Sequence, residues 1–287
     1  MRAKRWACGF RSNRRLLAAA VALCGLLAAG CTRAPAFRLR PLAAAAPEWR
    51  PALPATHEPL TAVLALFPGG RPGTAWSAGA GRVLDAYLAA LAGAGPRTRP
   101  DLFPSGDHAL AYLADAHVAW TIALGENGGM AGLDVRELRD VRVPLDGGTT
   151  TLRGLEAELA RRAPYEPRLA LFLNPGWRGG PPLPDGALDG DTFRWQLARQ
   201  ARRCGDSGFW AFDATTRRLT VSAFAAEMWG LPDAPLARVR RLLDLVPPPA
   251  AMRDAVSAVC GASLEHCTLA VAPIDSGRVF SPAPRPR

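Results

Sequence analysis

The sequence predicts an α/β domain in which apolar, strand-like runs alternate with amphipathic helical patterns. Three observations carry this. The runs at 61–67, 117–124 and 168–173 are continuously apolar, as parallel strands buried on both faces are. Between them lie segments with helical spacing, such as Val83, Leu84, Tyr87, Leu88 and Leu91. The runs end in turn residues: Pro68-Gly69-Gly70, Gly125-Glu126-Asn127-Gly128-Gly129 and Asn174-Pro175-Gly176. Alternation through five or six such units means a doubly wound parallel sheet or a β/α barrel.

The elements follow in order. Residues 1–30 read as a cleavable signal peptide. Arg2, Lys4, Arg5, Arg11, Arg14 and Arg15 precede an apolar stretch from Leu16 to Leu27, and small residues follow at Ala28-Ala29-Gly30. The stretch is shorter than the about 20 residues of a membrane-spanning helix. Leu27-Ala28-Ala29-Gly30-Cys31 resembles a bacterial lipobox, which implies a lipidated Cys31. Thr32 after it implies, by the same resemblance, outer-membrane sorting where a cell has two membranes. Pro- and Ala-rich residues 31–59 read as a tether. The folded part is residues 60–280, and 281–287 is a disordered tail.

Within 60–280 the reading gives a strand at 61–67, helices at 82–91 and 107–116, a strand at 117–124 and a weaker strand at 141–145. A helix at 152–162 has a cap among Thr149 to Thr151. A strand at 168–173, a helix at 192–203 and a strand at 208–213 complete the alternation.

Charge narrows the function. The formal net charge of +10 invites nucleic acid, but the signal holds six of the 35 basic residues and none of the 25 acids. The remainder is +4, and Lys4 is the chain's one lysine, so no nucleic-acid partner is expected. Besides Cys31, the mature chain keeps Cys204, Cys260 and Cys267. An exported protein can form one disulfide among these; Cys260 and Cys267 lie nearest in sequence, and the pairing stays open. No metal and no cofactor are expected. No Cys-x-x-Cys or phosphate-binding loop occurs, and His57, His108, His117 and His266 are scattered. No Gly-x-Ser-x-Gly elbow supports a serine hydrolase.

In either α/β architecture, ligands bind where strands lead into helices. That rule selects 67–70, 126–129, 174–180 and 213–216. Asn174-Pro175-Gly176-Trp177, a Gly/Pro-rich loop, a helix with paired arginines and Gly208-Phe209-Trp210-Ala211-Phe212-Asp213 resemble the late β/α units of TIM-barrel glycoside hydrolases. The resemblance covers about forty-five residues. It implies a TIM-like barrel, complete or lacking units, and a carbohydrate ligand. Glycoside hydrolysis generally uses two carboxylates. Glu126 and Asp213, at predicted strand ends, are the candidate catalytic pair, with Asn174, Trp177 and Trp210 on the substrate. The plainer reading makes Glu126 a loop acid, Asp213 a turn cap and Trp210 a core residue.

Residues 191–280 also resemble a PAS sensory module. Gly208 to Asp213 look like its first strand, and Thr216, Leu219, Thr220 and Ser222 stand in its hairpin. Gly230-Leu231-Pro232, Val246-Pro247-Pro248, Arg253, Val256 and Asp275-Ser276-Gly277-Arg278-Val279 fall at later landmarks. This alternative splits the folded part into 60–190 and 191–280. It implies a small-ligand pocket lined by Trp210, Phe212, Phe224, Met228 and Trp229. The two readings differ physically. A barrel pairs the Trp210 strand in parallel with 168–173, whereas a PAS module pairs it antiparallel with 218–222. A third class is a non-enzymatic lipoprotein that binds glycan or a partner surface.

Overall fold

A computed structural model describes residues 57–67, 78–126, 133–177, 179–229 and 236–273, all within one compact unit of the chain. The signal, Cys31, most of the tether, Gly230-Leu231-Pro232, residues 275–279 and the tail lie outside them. The chain is a mixed helical and strand protein in which helices dominate. No helix among the described residues is long and apolar enough to cross a membrane.

Helix α1 (Glu58–Leu64) begins after His57, with Pro59 in its first turn, where the missing N–H costs nothing. Helix α2 (Ala78–Gly93) buries Leu84, Tyr87, Leu88 and Leu91, the face predicted for it, whereas Val83 is largely exposed. Helix α3 (Gly106–Glu126) is buried continuously from Ala109 to Gly125. Helix α4 (Val135–Arg139) starts at a capping box in which Asp134 and Glu137 each accept the other's backbone N–H.

Strands β1 (Val143–Leu145) and β2 (Gly148–Thr150) form an antiparallel hairpin. Its two turn residues, Asp146 (φ 51°) and Gly147 (φ 68°), both take positive φ, as the tight hairpin turn requires. Helix α5 (Leu152–Arg162) is capped by Thr151, whose hydroxyl accepts the Gly154 N–H. A 3₁₀ segment (Pro167–Phe172) and helix α6 (Phe193–Cys204) complete the first part.

The second part is a small sheet with helices. Strand β3 (Trp210–Asp213) pairs antiparallel with β4 (Arg218–Val221), and β4 pairs parallel with β5 (Thr268–Val271). Helices α7 (Ala223–Trp229), α8 (Leu236–Leu245) and α9 (Ala250–Cys260) lie between β4 and β5 in sequence. A Cys260–Cys267 disulfide ties the end of α9 to the approach of β5, and Cys204 is free and buried.

These elements correct the parallel alternation. Residues 61–67 continue α1 and its final turn, 117–124 belong to α3, and 168–173 are mostly 3₁₀. No barrel is closed among the described residues, because three of the strands it needs are helical. The reason is common to all three. A segment buried on every side shows neither the period of 2 nor the period of 3.6, so an apolar run alone cannot separate strand from helix. Between 107 and 124 no glycine or proline interrupts the chain, and six alanines favour helix, so the two short elements expected there fuse. The Trp210 strand forms instead the antiparallel hairpin that the PAS-like alternative requires.

Two hydrophobic clusters result. One gathers α1, α2, α3 and α5 around Leu60, Leu88, Leu91, Trp120 and Leu152. The other gathers the sheet and α7 to α9 around Trp210, Phe224, Leu242 and Cys260. Between them sits Arg139 of α4, 8% exposed. Its guanidinium makes two bonds to Glu156 of α5 and one of 3.1 Å to Glu227 of α7. It also lies over the Trp177 ring, 5.9 Å from the centroid. Burial would raise the Glu156 carboxyl, but the His117 imidazole at 3.2 Å and Arg139 outweigh it and hold the pKa below its usual value.

Candidate functional site

The structure places the predicted site residues in separate settings. Glu126 closes α3, half-buried, and burial raises its carboxyl pKa. Asp213 is exposed at the end of β3. It accepts the N–H groups of Thr215 and Thr216 and the Thr216 hydroxyl, and these bonds, the hydroxyl first, lower its pKa. It is therefore the turn cap of the plainer reading. No hydrogen bond, ion pair or common cavity joins Glu126 to Asp213 among the described residues.

Asn174 organises its own loop. Its Oδ1 accepts from Gly176 and Trp177, and its Nδ2 donates to the carbonyls of Trp177 and Pro181. Trp177 is 5% exposed and packs edge-on against Phe224. Trp210 is 2% exposed and donates Nε1–H to the Val246 carbonyl at 2.7 Å. A sugar platform must offer a ring face to solvent, so both indoles are core residues here. Cys31 lies outside the described residues.

A different set of polar residues converges between α1, α3 and the loop before α6. Asp115, in the middle of α3, has no solvent exposure. Both of its carboxyl oxygens accept the Leu188 N–H, at 3.0 and 3.1 Å. Its Oδ2 lies 3.3 Å from His57 Nδ1, and the same nitrogen lies 2.5 Å from the Tyr87 hydroxyl. Burial drives the His57 imidazole down to about 4, which Asp189 opposes and His108 assists. Burial also pushes the Asp115 carboxyl and the Tyr87 phenol well up. Both effects disfavour charge on the His57–Asp115 pair.

Next to this pair, His108 stands in the first turn of α3. Its Nδ1 lies 2.8 Å from the Ser105 hydroxyl, and its Nε2 lies 3.6 Å from Asp191. Gln196 of α6 fixes the facing loop: its Oε1 accepts from Asp189, and its Nε2 donates to the Ala187 carbonyl. Thr61 of α1 accepts the Ala187 N–H. The result is a cavity of about 410 Å³. His57, His108, Asp189, Asp191 and Gln196 line it together with Phe103. Glu58 adds another carboxylate, and among the described residues no Arg or Lys takes part in the lining. A second cavity, about 510 Å³ between α8 and α9, has one acid and two arginines over an apolar floor. It lacks comparable convergence of titratable groups.

These residues escaped the sequence reading. The available signals were an acid and a histidine, Asp115 and His117, inside an otherwise apolar stretch, and the Asp189-Gly190-Asp191 triplet. Compared with protein-family models, curated proteins and solved structures, the chain matches none of them.

Proposed function

We propose that this chain is an exported, lipid-anchored envelope protein whose folded domain binds a small polyhydroxylated ligand in the cavity beside His57 and His108. One observation carries the ligand class. Among the described residues the cavity presents carboxylates, imidazoles and an amide, with one phenyl ring and no Arg or Lys. Carboxylates accept paired sugar hydroxyls, Gln196 both donates and accepts, and Phe103 suits a C–H face. Its volume falls in the range of small-ligand sites.

The reading is one of binding rather than cleavage. Glycoside hydrolysis places two carboxyl groups across one bond, and among the described residues no hydrogen bond or ion pair joins Glu126 to Asp213. Export and anchoring are supported by the basic, apolar and small-residue zones before Cys31. The Cys260–Cys267 disulfide belongs to an oxidising compartment. The PAS-like alternative keeps the β3–β4 hairpin in its favour. Its proposed pocket residues Trp210 and Phe224 are fully packed.

Two measurements test the proposal. Replacing Cys31→Ser is expected to abolish metabolic labelling by a fatty-acid analogue; retained labelling overturns the anchor. The chain from residue 32 onward, made without signal or lipid, is then titrated calorimetrically with mono- and oligosaccharides. We expect saturable binding that Gln196→Ala and Asp189→Asn weaken about tenfold or more, which corresponds to about 1.4 kcal/mol each. Binding insensitive to both substitutions, or none at all, overturns the cavity as a saccharide site.

A further inference from the structure

We propose that His108, Asp189 and Asp191 bind a divalent transition-metal ion, of the Mn²⁺ or Zn²⁺ type, at the rim of this cavity. One ligand atom from each lies within 4.8 Å of the others. They come from two parts of the chain, the first turn of α3 and the loop before α6. An imidazole nitrogen with two carboxylate oxygens is a donor set suited to these ions.

The loop is shaped to this imidazole. A Cβ on Gly190 would stand 2.2 Å from His108 Cγ, so only glycine lets the backbone between the two aspartates lie on the ring. The Ser105 hydroxyl holds Nδ1, which fixes the ring and leaves Nε2 for the carboxylates. Orientation of a ligating imidazole through its other nitrogen is the usual support for a bound metal. The 3.6 Å separation of Nε2 from Asp191 is too long for a direct hydrogen bond. Among the described residues, neither Asp189 nor Asp191 meets an Arg or Lys. Two facing carboxylates and an imidazole are thus left without a protein cation.

An independent observation points into the same space. His57 lines the cavity with its side chain nine-tenths buried. Its Nδ1 is taken by Tyr87 and Asp115, and its Nε2 has no partner among the described residues. An imidazole nitrogen without a protein partner at a cavity wall can bond water or an occupant. Three protein donors leave coordination positions for water or for ligand hydroxyls. This inference rests on the cavity being the ligand site and assigns the ion as part of how a polyol is held.

The test uses the same chain from residue 32 onward, stripped of metal. Manganese(II) chloride alone is titrated with the free-ion paramagnetic resonance signal as readout, and zinc chloride is titrated calorimetrically. We expect one ion per chain. Affinity should fall about tenfold or more in Asp191→Asn and in Gly190→Ala, and stay unchanged in the exposed control Asp206→Asn. Circular dichroism of each variant separates lost ligands from lost fold, and Asp191 at 84% exposure is not needed for packing. No saturable binding of either ion, or equal binding by wild type and Asp191→Asn, overturns the inference and leaves a plain His–Asp contact. Saccharide titrations with and without EDTA distinguish the two readings. Metal bound with no saccharide bound sustains the ion and sinks the polyol. Saccharide bound equally in EDTA sustains the polyol and sinks the ion's role in holding it.

Discussion

His57 and Asp115 share a proton in an interior that penalises either charge. In the unfolded chain the imidazole titrates near 6.5 and the carboxyl near 3.8. Folding moves the imidazole down to about 4 and the carboxyl well up. Between these values, on the acid side, folded and unfolded pairs each carry one proton, and stability gains no slope from them. Above about pH 6.5 the unfolded pair carries none, while the folded pair keeps one until the pH passes the raised Asp115 pKa. Stability should therefore fall as pH rises, by about 1.4 kcal/mol for each pH unit over which the difference persists. Urea midpoints measured from about pH 6 to about pH 9 should show this decline. Asp115→Asn retains an acceptor for the Leu188 N–H but does not titrate, so its decline should be shallower. Parallel pH profiles would remove the pair from the account. The interaction spans 58 positions in sequence, so nothing near either residue announces it.

At the scale of elements, β5 depends on its covalent link. It is four residues long and lies at the sheet edge, paired only with β4. The Cys260–Cys267 bond closes a loop with a sequence separation of seven. Chain-entropy reasoning gives such a loop about 2 kcal/mol. The double variant Cys260→Ser/Cys267→Ser should lose that stability and exchange the backbone amides of Leu269 to Val271 faster. Unchanged exchange there would show that β5 holds by hydrogen bonds alone. Elements whose signals are local were legible in sequence. The Thr151 cap marks the start of α5, and the strand around Trp210 to Asp213 forms within the span read for it. The β1–β2 hairpin carried an equally local sign, Asp146-Gly147 between short strands, which the barrel reading passed over. The first half of helix α3, residues 107–116, was legible as helix; its second half was not, because burial on every side erased its period.

Across the whole molecule, Arg139 joins the two hydrophobic clusters. It bonds Glu156 on one side and Glu227 on the other, and lies against Trp177, which packs on Phe224. Removing Arg139 from the buried Arg139–Glu156 pair strands the Glu156 charge, at a cost of about 3 kcal/mol or more. Arg139→Met should show that loss in chemical denaturation and faster amide exchange in α7 than in α3. Adding Glu156→Gln to Arg139→Met removes a stranded charge and should recover part of the loss. Strict additivity of the two substitutions would mean that the contact does not couple the clusters.

The sequence alone determined what nearest neighbours decide. It set the amphipathic faces of α2, α5 and α6, the cap of α5, the turn at Asp213 and the small charge left after residue 30. The tertiary structure decided whether the apolar runs became strands or helices, and which distant polar groups met. Burial on all sides leaves no periodicity to read. A histidine at 57 or 108 finds its aspartates at 115, 189 or 191 only when packing closes the chain between them.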